Sequence, residues 1–248
     1  MSAIRVGLVV PSSNTTMETE VPALLRRRES VAPERFTTHA SRVTMRRVTP
    51  EELAAMNAAS DRCAGELADA RCDVLAYACL VAVMAEGPGA HAETEQRLER
   101  AASAAGHDMP VVTSAGALVE GLSALGARRV ALIAPYVPPL TEKVVSYLDG
   151  HGVDVVDAIS LGVDDNVAVG RLDPGRLLEL ARGLDVREAD AVILSACVQM
   201  PSLPAIPEVE AALDRPVLTA ATATVHQLLT RLKLPTHVPD AGALLALA

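Results

Sequence analysis

Tryptophan is absent from this 248-residue chain, which has only one phenylalanine and three tyrosines. Single-stranded nucleic acid is held largely by stacking on aromatic faces, so this composition argues against such a partner. The formal charge of −9 at pH 7 points the same way, since it repels phosphate backbones and anionic membrane surfaces. Long apolar runs are missing too: none approaches the roughly 18 residues that cross a bilayer. The start, Met1-Ser2-Ala3-Ile4-Arg5, lacks the charged region and long apolar core of a secretory leader. Four cysteines are too few for a disulfide scaffold at this length, so reduced thiols in the cytoplasm are expected. No Cys-x-x-Cys pair occurs and no histidine sits at ligand spacing, so no metal is expected. No Gly-x-Gly-x-x-Gly follows the first strand, and no lysine follows Gly87-Pro88-Gly89, which excludes a dinucleotide or phosphate loop. Asp164-Asp165-Asn166 is too short an acidic turn for calcium or magnesium. The expectation is a protein without a cofactor.

What the chain does have is aliphatic residues, and half of it is hydrophobic. Apolar runs at 4–10, 73–78, 110–113, 129–134, 190–196 and 216–219 lack the alternation of half-exposed strands. They predict strands buried on both faces, as in parallel sheets. Helical segments separate them. Thr49-Pro50-Glu51-Glu52 supplies an N-cap, a first-turn proline and first-turn acids for a helix to about residue 70. Pro22 is awkward: either the first helix begins near Thr19, with Pro22 in its first turn, or it is kinked. Residues 174–184 predict one helix, and the tail after Pro235 shows no clear role.

The two halves repeat. Arg5-Val6-Gly7-Leu8-Val9-Val10-Pro11 matches Arg129-Val130-Ala131-Leu132-Ile133-Ala134-Pro135, and the apolar run ending in Cys79 matches the run ending in Cys197. Pro110-Val111-Val112-Thr113 likewise matches Pro216-Val217-Leu218-Thr219. A period above about 100 residues means two copies of one domain rather than a solenoid. Each copy is then a parallel α/β unit of four strands. Positional equivalence of the helices at 115–125 and 221–232 predicts that the last helix returns to the first unit. The expected division is 1–113 plus 220–248 for one domain and 114–219 for the other.

Both cysteines sit where a buried strand gives out, at the carboxyl end where open parallel sheets bind ligands. Most cysteines in apolar runs are core packing, and Cys63 and Cys72 are read that way. Cys79 and Cys197 differ because the repeat places them equivalently. A thiolate beside a helix N-terminus there would have a lowered pKa. Pro11-Ser12-Ser13-Asn14-Thr15 is either an ordinary capped turn or a nest of backbone N–H groups that holds an anion. Such a nest would accept a carboxylate whatever the net charge. Tyr136, in the equivalent turn of the second half, is either a donor to the same cleft or a surface residue. Asn166 is a further neutral donor.

Pro-Ser-Ser-Asn-Thr-x-Met-Glu at 11–18, Tyr-Ala-Cys-Leu-Val-Ala at 77–82 and Val-Gln-Met-Pro-Ser-Leu at 198–203 together closely resemble the maleate cis–trans isomerase family. That family belongs to the aspartate/glutamate racemase superfamily, with hydantoin racemase and arylmalonate decarboxylase. The resemblance implies two pseudo-symmetric four-stranded parallel α/β domains with the active site in the cleft between them, and no cofactor. It implies Cys79 and Cys197 as the catalytic pair and Asn14, Tyr136 and Asn166 as carboxylate contacts. Ser13, Val81, Ala82 and Val198 complete the implied substrate contacts. The expected activity is conversion of the dicarboxylate maleate to fumarate by thiolate addition, rotation and elimination. Two rivals stay open from the residues alone: a two-cysteine amino-acid or hydantoin racemase, and a non-catalytic protein that binds small carboxylates. A homodimer is expected because symmetric dimers dominate among soluble oligomers.

Overall fold

The six apolar runs become strands, two more strands at 36–43 and 154–160 join them, and the computed structural model describes residues 3–247. Met1 and Ser2, which begin the first expected domain, and Ala248, which ends it, lie outside the described residues. In chain order the elements are β1 (Ile4–Pro11), α1 (Met17–Glu29), β2 (Phe36–Val43), α2 (Pro50–Asp69), β3 (Val74–Tyr77), α3 (Leu80–Met84), α4 (Ala90–Ala104) and β4 (Val111–Thr113). The second half continues with α5 (Ser114–Ala124), β5 (Arg129–Ala134), α6 (Pro138–Asp149), β6 (Asp154–Ser160), α7 (Asn166–Val169), α8 (Leu177–Arg182), β7 (Ala191–Ser195), α9 (Ile206–Leu213), β8 (Val217–Thr219) and α10 (Ala220–Arg231).

Two parallel four-stranded sheets result, ordered β2-β1-β3-β4 and β6-β5-β7-β8. The same order in both halves is the repeat made visible. Every residue of β3, β4, β7 and β8 is buried, whereas the edge strands β2 and β6 are mostly half-buried or exposed. Burial on both faces explains why the central runs carry no polar alternation. The core is mainly aliphatic, with Leu8, Leu75, Leu132 and Ile193 fully buried, and it also takes in Tyr77, Tyr136 and Tyr147. Among the described residues no helix is long and apolar enough to cross a membrane.

In each sheet the chain leaves the first strand towards one edge and returns on its other side. The reversal lies between β1 and β3, and again between β5 and β7. Such a switch point opens a crevice beyond the carboxyl ends of the two strands. Asn14 and Cys79 follow the first pair, and Tyr136 and Cys197 follow the second.

The paired helices α5 and α10 pack on each other between the sheets. The helix α10 also packs on α1, β3 and β4, while α5 brings Gly121 against Leu218 of β8. A Cβ at Gly121 would come within 3.0 Å of Leu244 Cδ2, so the small residue is needed for this approach.

Four local features differ from the sequence expectation. The first helix starts at Met17 rather than Thr19, leaving Pro22 beyond its first turn. Thr16, the N-cap residue, makes no side-chain cap bond, and the Met17 N–H is met instead by Asn14 Oδ1 at 3.1 Å. A short helix, α3, follows Cys79 within an apolar run that carried no boundary signal. Residues 174–184 form a 3-10 turn, Pro174–Arg176, before the shorter α8. Lastly, the tail is an integral strap. Leu244 and Leu245 are fully buried, Glu210 accepts the backbone N–H groups of Val217 and Ala243 at 2.8 Å, and Arg28 donates to His237 O at 2.9 Å.

Candidate active site

The two switch points face each other, and their loops are knitted together. Ser13 Oγ donates to Met45 O at 2.5 Å, and the Asn166 N–H donates to Arg46 O at 3.3 Å. The Val48 N–H donates to Asp164 O at 3.1 Å, beside a bridge between Arg47 and Asp165. On the far side, buried Glu20 accepts the N–H groups of Ser202 and Leu203 at 2.6 and 2.8 Å. Burial raises the Glu20 pKa above the usual carboxylate value, and these donors pull against it.

Between the switch points lies a narrow cavity of about 10 Å³, room for roughly one water molecule. Pro11, Asn14, Met45 and Val48 line it from one side, with Cys79, Leu80 and Val81. Tyr136, Asn166, Cys197, Val198 and Gln199 line it from the other. Among these described residues none is charged. Both thiols therefore share one narrow space with neutral donors only.

Of the residues singled out from sequence, Cys79, Cys197, Asn14, Tyr136, Asn166, Val81 and Val198 border this space. Ser13 does not. It stands behind Asn166, accepting its Nδ2 donor on Oγ at 2.8 Å. Ala82 is also outside the lining, but its backbone N–H is directed to the Cys79 thiol. Tyr136 is 2% exposed, which removes its surface alternative. Asn14 donates one amide hydrogen to Val198 O at 3.3 Å, a direct tie between the two halves. Cys63 and Cys72 are fully buried in the core. Met45, Val48, Leu80 and Gln199 were not singled out. Gln199 stood inside the 198–203 motif, and a buried amide two residues after a candidate cysteine was the available signal.

The thiol chemistry differs from expectation in sign. Burial pushes Cys79 up to about 12; the Ala82 N–H opposes this, and the proximity of Cys197 adds to it. Cys197 is also raised by burial, but the Tyr136 hydroxyl and the backbone N–H groups of Gln199 and Met200 all pull it down. Gln199 N–H lies 3.3 Å from Cys197 Sγ. The lowering expected at a helix N-terminus is outweighed here by burial of both sulfurs. Of the two thiols, Cys197 is better equipped to carry negative charge, with three donors against one. Burial raises Tyr136 well above 10 as well, with Cys197 contributing, so the phenol stays protonated and donates to the sulfur.

A folding consequence follows from the raised thiols. Between pH 9 and about 12 an unfolded Cys79 ionises while the folded one holds its proton. The folded state then binds more protons, so stability present below pH 9 is lost as pH rises through this window. Denaturant unfolding between pH 9 and 11 is expected to show a steeper alkaline loss in the wild type than in Cys79→Ala. The difference should be about 1.4 kcal/mol per pH unit; identical slopes would show that burial does not hold this thiol neutral.

Among the described residues, no group of three or more His, Cys, Asp or Glu is placed to hold a metal. Sequence comparison matches residues 6–245 to the arylmalonate decarboxylase family model. Maleate isomerase from Geobacillus stearothermophilus is 57% identical over 98% of this chain and 97% of its own. The crystal structure of a maleate isomerase variant from Pseudomonas putida S16 with maleate superposes with a TM-score of 0.98 at 52% identity, covering 100% of this chain and 99% of that one. A cysteine-to-serine variant of the Nocardia farcinica maleate cis–trans isomerase, with a covalently bound succinylcysteine intermediate, gives 0.95 at 49% identity, covering 99% of both chains. The racemase and binding-protein alternatives are not favoured by these relatives. With its two matched sheets, its paired strand-end cysteines and relatives similar over nearly their whole length, this chain belongs to the maleate isomerase family.

Proposed function

We propose that the protein isomerises maleate to fumarate without a cofactor, with Cys79 as nucleophile and Cys197 as its acid/base partner. One observation carries this: two thiols from equivalent strand ends meet at a single cavity lined by uncharged donors. A C=C bond cannot rotate while its π bond persists. With one proton between the pair, Cys197 rests as the thiolate, held by its three donors; it takes the Cys79 proton as the Cys79 sulfur adds to one olefinic carbon. The π electrons move onto the other carbon and its carboxylate, giving an enolate-like dianion. Cys197 returns its proton to that carbon, leaving a succinyl thioether with a C2–C3 single bond. Rotation follows; Cys197 removes the proton again, the C–S bond breaks, and fumarate leaves as the proton returns to Cys79. The succinylcysteine intermediate of the Nocardia relative supports the addition step, and the maleate complex of the Pseudomonas relative supports the substrate.

Asn14, Asn166 and Tyr136, with the backbone N–H groups after each cysteine, stabilise the carboxylates and the dianion. Fixed neutral donors in a water-free site are strong at the moment charge develops and need no reorganisation. Ser13 holds Asn166 in place, and the Ala82 N–H assists the Cys79 thiolate. Val81 and Val198 wall the substrate. A cavity of about 10 Å³ is far too small for a four-carbon dicarboxylate, so the 44–48 and 163–166 loops part to admit it.

Asn14→Ala is expected to cost roughly 3–4 kcal/mol of transition-state stabilisation, as loss of one oxyanion donor does. Steady-state kinetics beside an unfolding curve would separate this from loss of the α1 cap; a change in kcat/KM below about threefold would remove Asn14 from the site.

The same proposal covers the assembly. Residues 1–113 with 220–248 act as one domain and 114–219 as the other, supported by α10 packing on α1, β3 and β4. The enzyme works as a homodimer, the commonest symmetric assembly, in the cytoplasm, where reducing conditions keep its free thiols active. Proton NMR of purified protein with maleate, a chelator and no added cofactor tests the activity. The olefinic maleate signal should give way to that of fumarate. Persistence of maleate beside deuterium exchange at an amino-acid Cα would support a racemase instead.

A further inference from the structure

Gln199 stands two residues after Cys197, borders the cavity and is 2% exposed. A buried primary amide has two donors and an acceptor oxygen to satisfy, and each one left unmet is costly. Here all are met. Oε1 accepts the N–H groups of Thr15 at 3.0 Å and Thr16 at 3.3 Å, while Nε2 donates to Ser13 O at 3.0 Å and Asn166 O at 2.9 Å. The backbone joins in: the Gln199 carbonyl accepts Thr16 Oγ1 at 2.7 Å, and its N–H points to Cys197 Sγ. One side chain thus ties the turn that carries Asn14, the start of α7 that carries Asn166, and the loop that carries Cys197.

A second observation is independent of these bonds. Gly170, at the end of α7, has φ −68°, where any residue is comfortable, so backbone freedom does not explain it. A Cβ there would overlap Gln199 Nε2 and come within 3.0 Å of its Cδ. The glycine makes room for the amide.

We propose that Gln199 is a positioning residue for the reaction, holding Asn14 and Asn166 in register with Cys197, and that Gly170 is small in order to admit it. The proposal rests on the isomerase function above. An amide that merely fills a polar gap would affect folding. One that sets the register of the two carboxylate donors affects turnover, since displacements near 1 Å cost about 100-fold.

The test is kcat and KM on maleate for the wild type, Gln199→Leu, Gly170→Ala and the double variant, beside unfolding curves. Gln199→Leu should still fold, with an unfolding midpoint lowered because four backbone groups lose their partner, while kcat/KM falls about 100-fold, with kcat lowered and KM raised together. Gly170→Ala should lose about 10-fold alone and nothing further in the Gln199→Leu background, because it acts through that side chain. In Gln199→Glu the acceptor for Thr15 and Thr16 survives, but the two carbonyls meet no donor until the carboxyl is protonated. Its loss relative to the wild type should therefore be smaller at about pH 6 than at about pH 8. A folded Gln199→Leu with kcat/KM within about threefold of the wild type, additive losses in the double variant, or a pH-independent Gln199→Glu ratio would each overturn the proposal. If Gln199→Leu does not fold, unchanged kinetics in Gly170→Ala overturn it. A wild type inactive on maleate removes the isomerase function itself; an active wild type with indifferent variants removes only the role of Gln199.

Discussion

Replacing Cys79 by serine is expected to abolish isomerisation, lowering kcat/KM for maleate by at least roughly 10⁴-fold, the scale on which removal of a covalent nucleophile acts. Serine preserves the size of the side chain and its place before α3, so the fold should survive. What it lacks is acidity: a hydroxyl in this desolvated cavity does not ionise near neutral pH, and Cys197 cannot draw its proton away as it does from a thiol. Burial already holds the Cys79 thiol near 12, so the nucleophile is made only by transfer within the cavity. Activity of the wild type is accordingly expected to rise with pH as the Cys79–Cys197 pair loses a proton, whereas Cys79→Ser should stay inactive at every pH tested. Near-normal turnover in Cys79→Ser, measured by loss of maleate absorbance or by NMR, would contradict the assignment.

Cys197→Ala carries the second-largest expected effect, a loss of turnover of roughly 10³-fold or more, the contribution of a positioned base together with its acid role. The substitution removes the acceptor of the Cys79 proton and the donor that quenches the dianion. It also leaves the Tyr136 hydroxyl and the Gln199 and Met200 N–H groups without the sulfur they serve. The distinguishing feature is which half-reaction remains. Addition can still proceed slowly from the small thiolate fraction of Cys79, but elimination needs a base to reopen the C–H bond. The loss should therefore fall more heavily on release of product than on formation of the adduct. Equal loss of both steps would mean that Cys197 only shapes the cavity.

Those two residues were legible because each ended an apolar run, and the runs repeat. Strand burial is written in composition: Val74-Leu75-Ala76-Tyr77 and Ala191-Val192-Ile193-Leu194-Ser195 are buried at every position, and they read that way. Thr49 capping α2 through the Glu52 N–H was equally plain, since cap, proline and acids are local signals. Where partners are distant, the sequence is silent. A capped turn was readable at 11–15, but not that Asn14 Oδ1, rather than the Thr16 side chain, meets the Met17 N–H where α1 starts. The helix α3 begins without any change of polarity after Cys79, so hydrophobic periodicity could not separate it from the strand before it. The tail strap depends on Glu210 reaching a backbone N–H 33 residues later. Gln199 is the sharpest case, because its partners are mostly backbone atoms 183 to 186 residues earlier in the chain. The direction of the thiol pKa shifts was also hidden. A helix terminus argues for lowering, and burial of both sulfurs between the two halves of the molecule raises them instead.

The central claim is that Cys79 bonds to substrate carbon, and peptide mass spectrometry of the Cys197→Ala protein after incubation with maleate tests it most directly. The predicted result is a mass gain of one maleate on the tryptic peptide 72–97, placed on Cys79 rather than Cys72 by fragmentation and absent from the Cys79→Ser/Cys197→Ala protein. A protein that turns over maleate as wild type, yet shows no adduct in Cys197→Ala or carries it only on Cys63 or Cys72, would contradict the covalent mechanism.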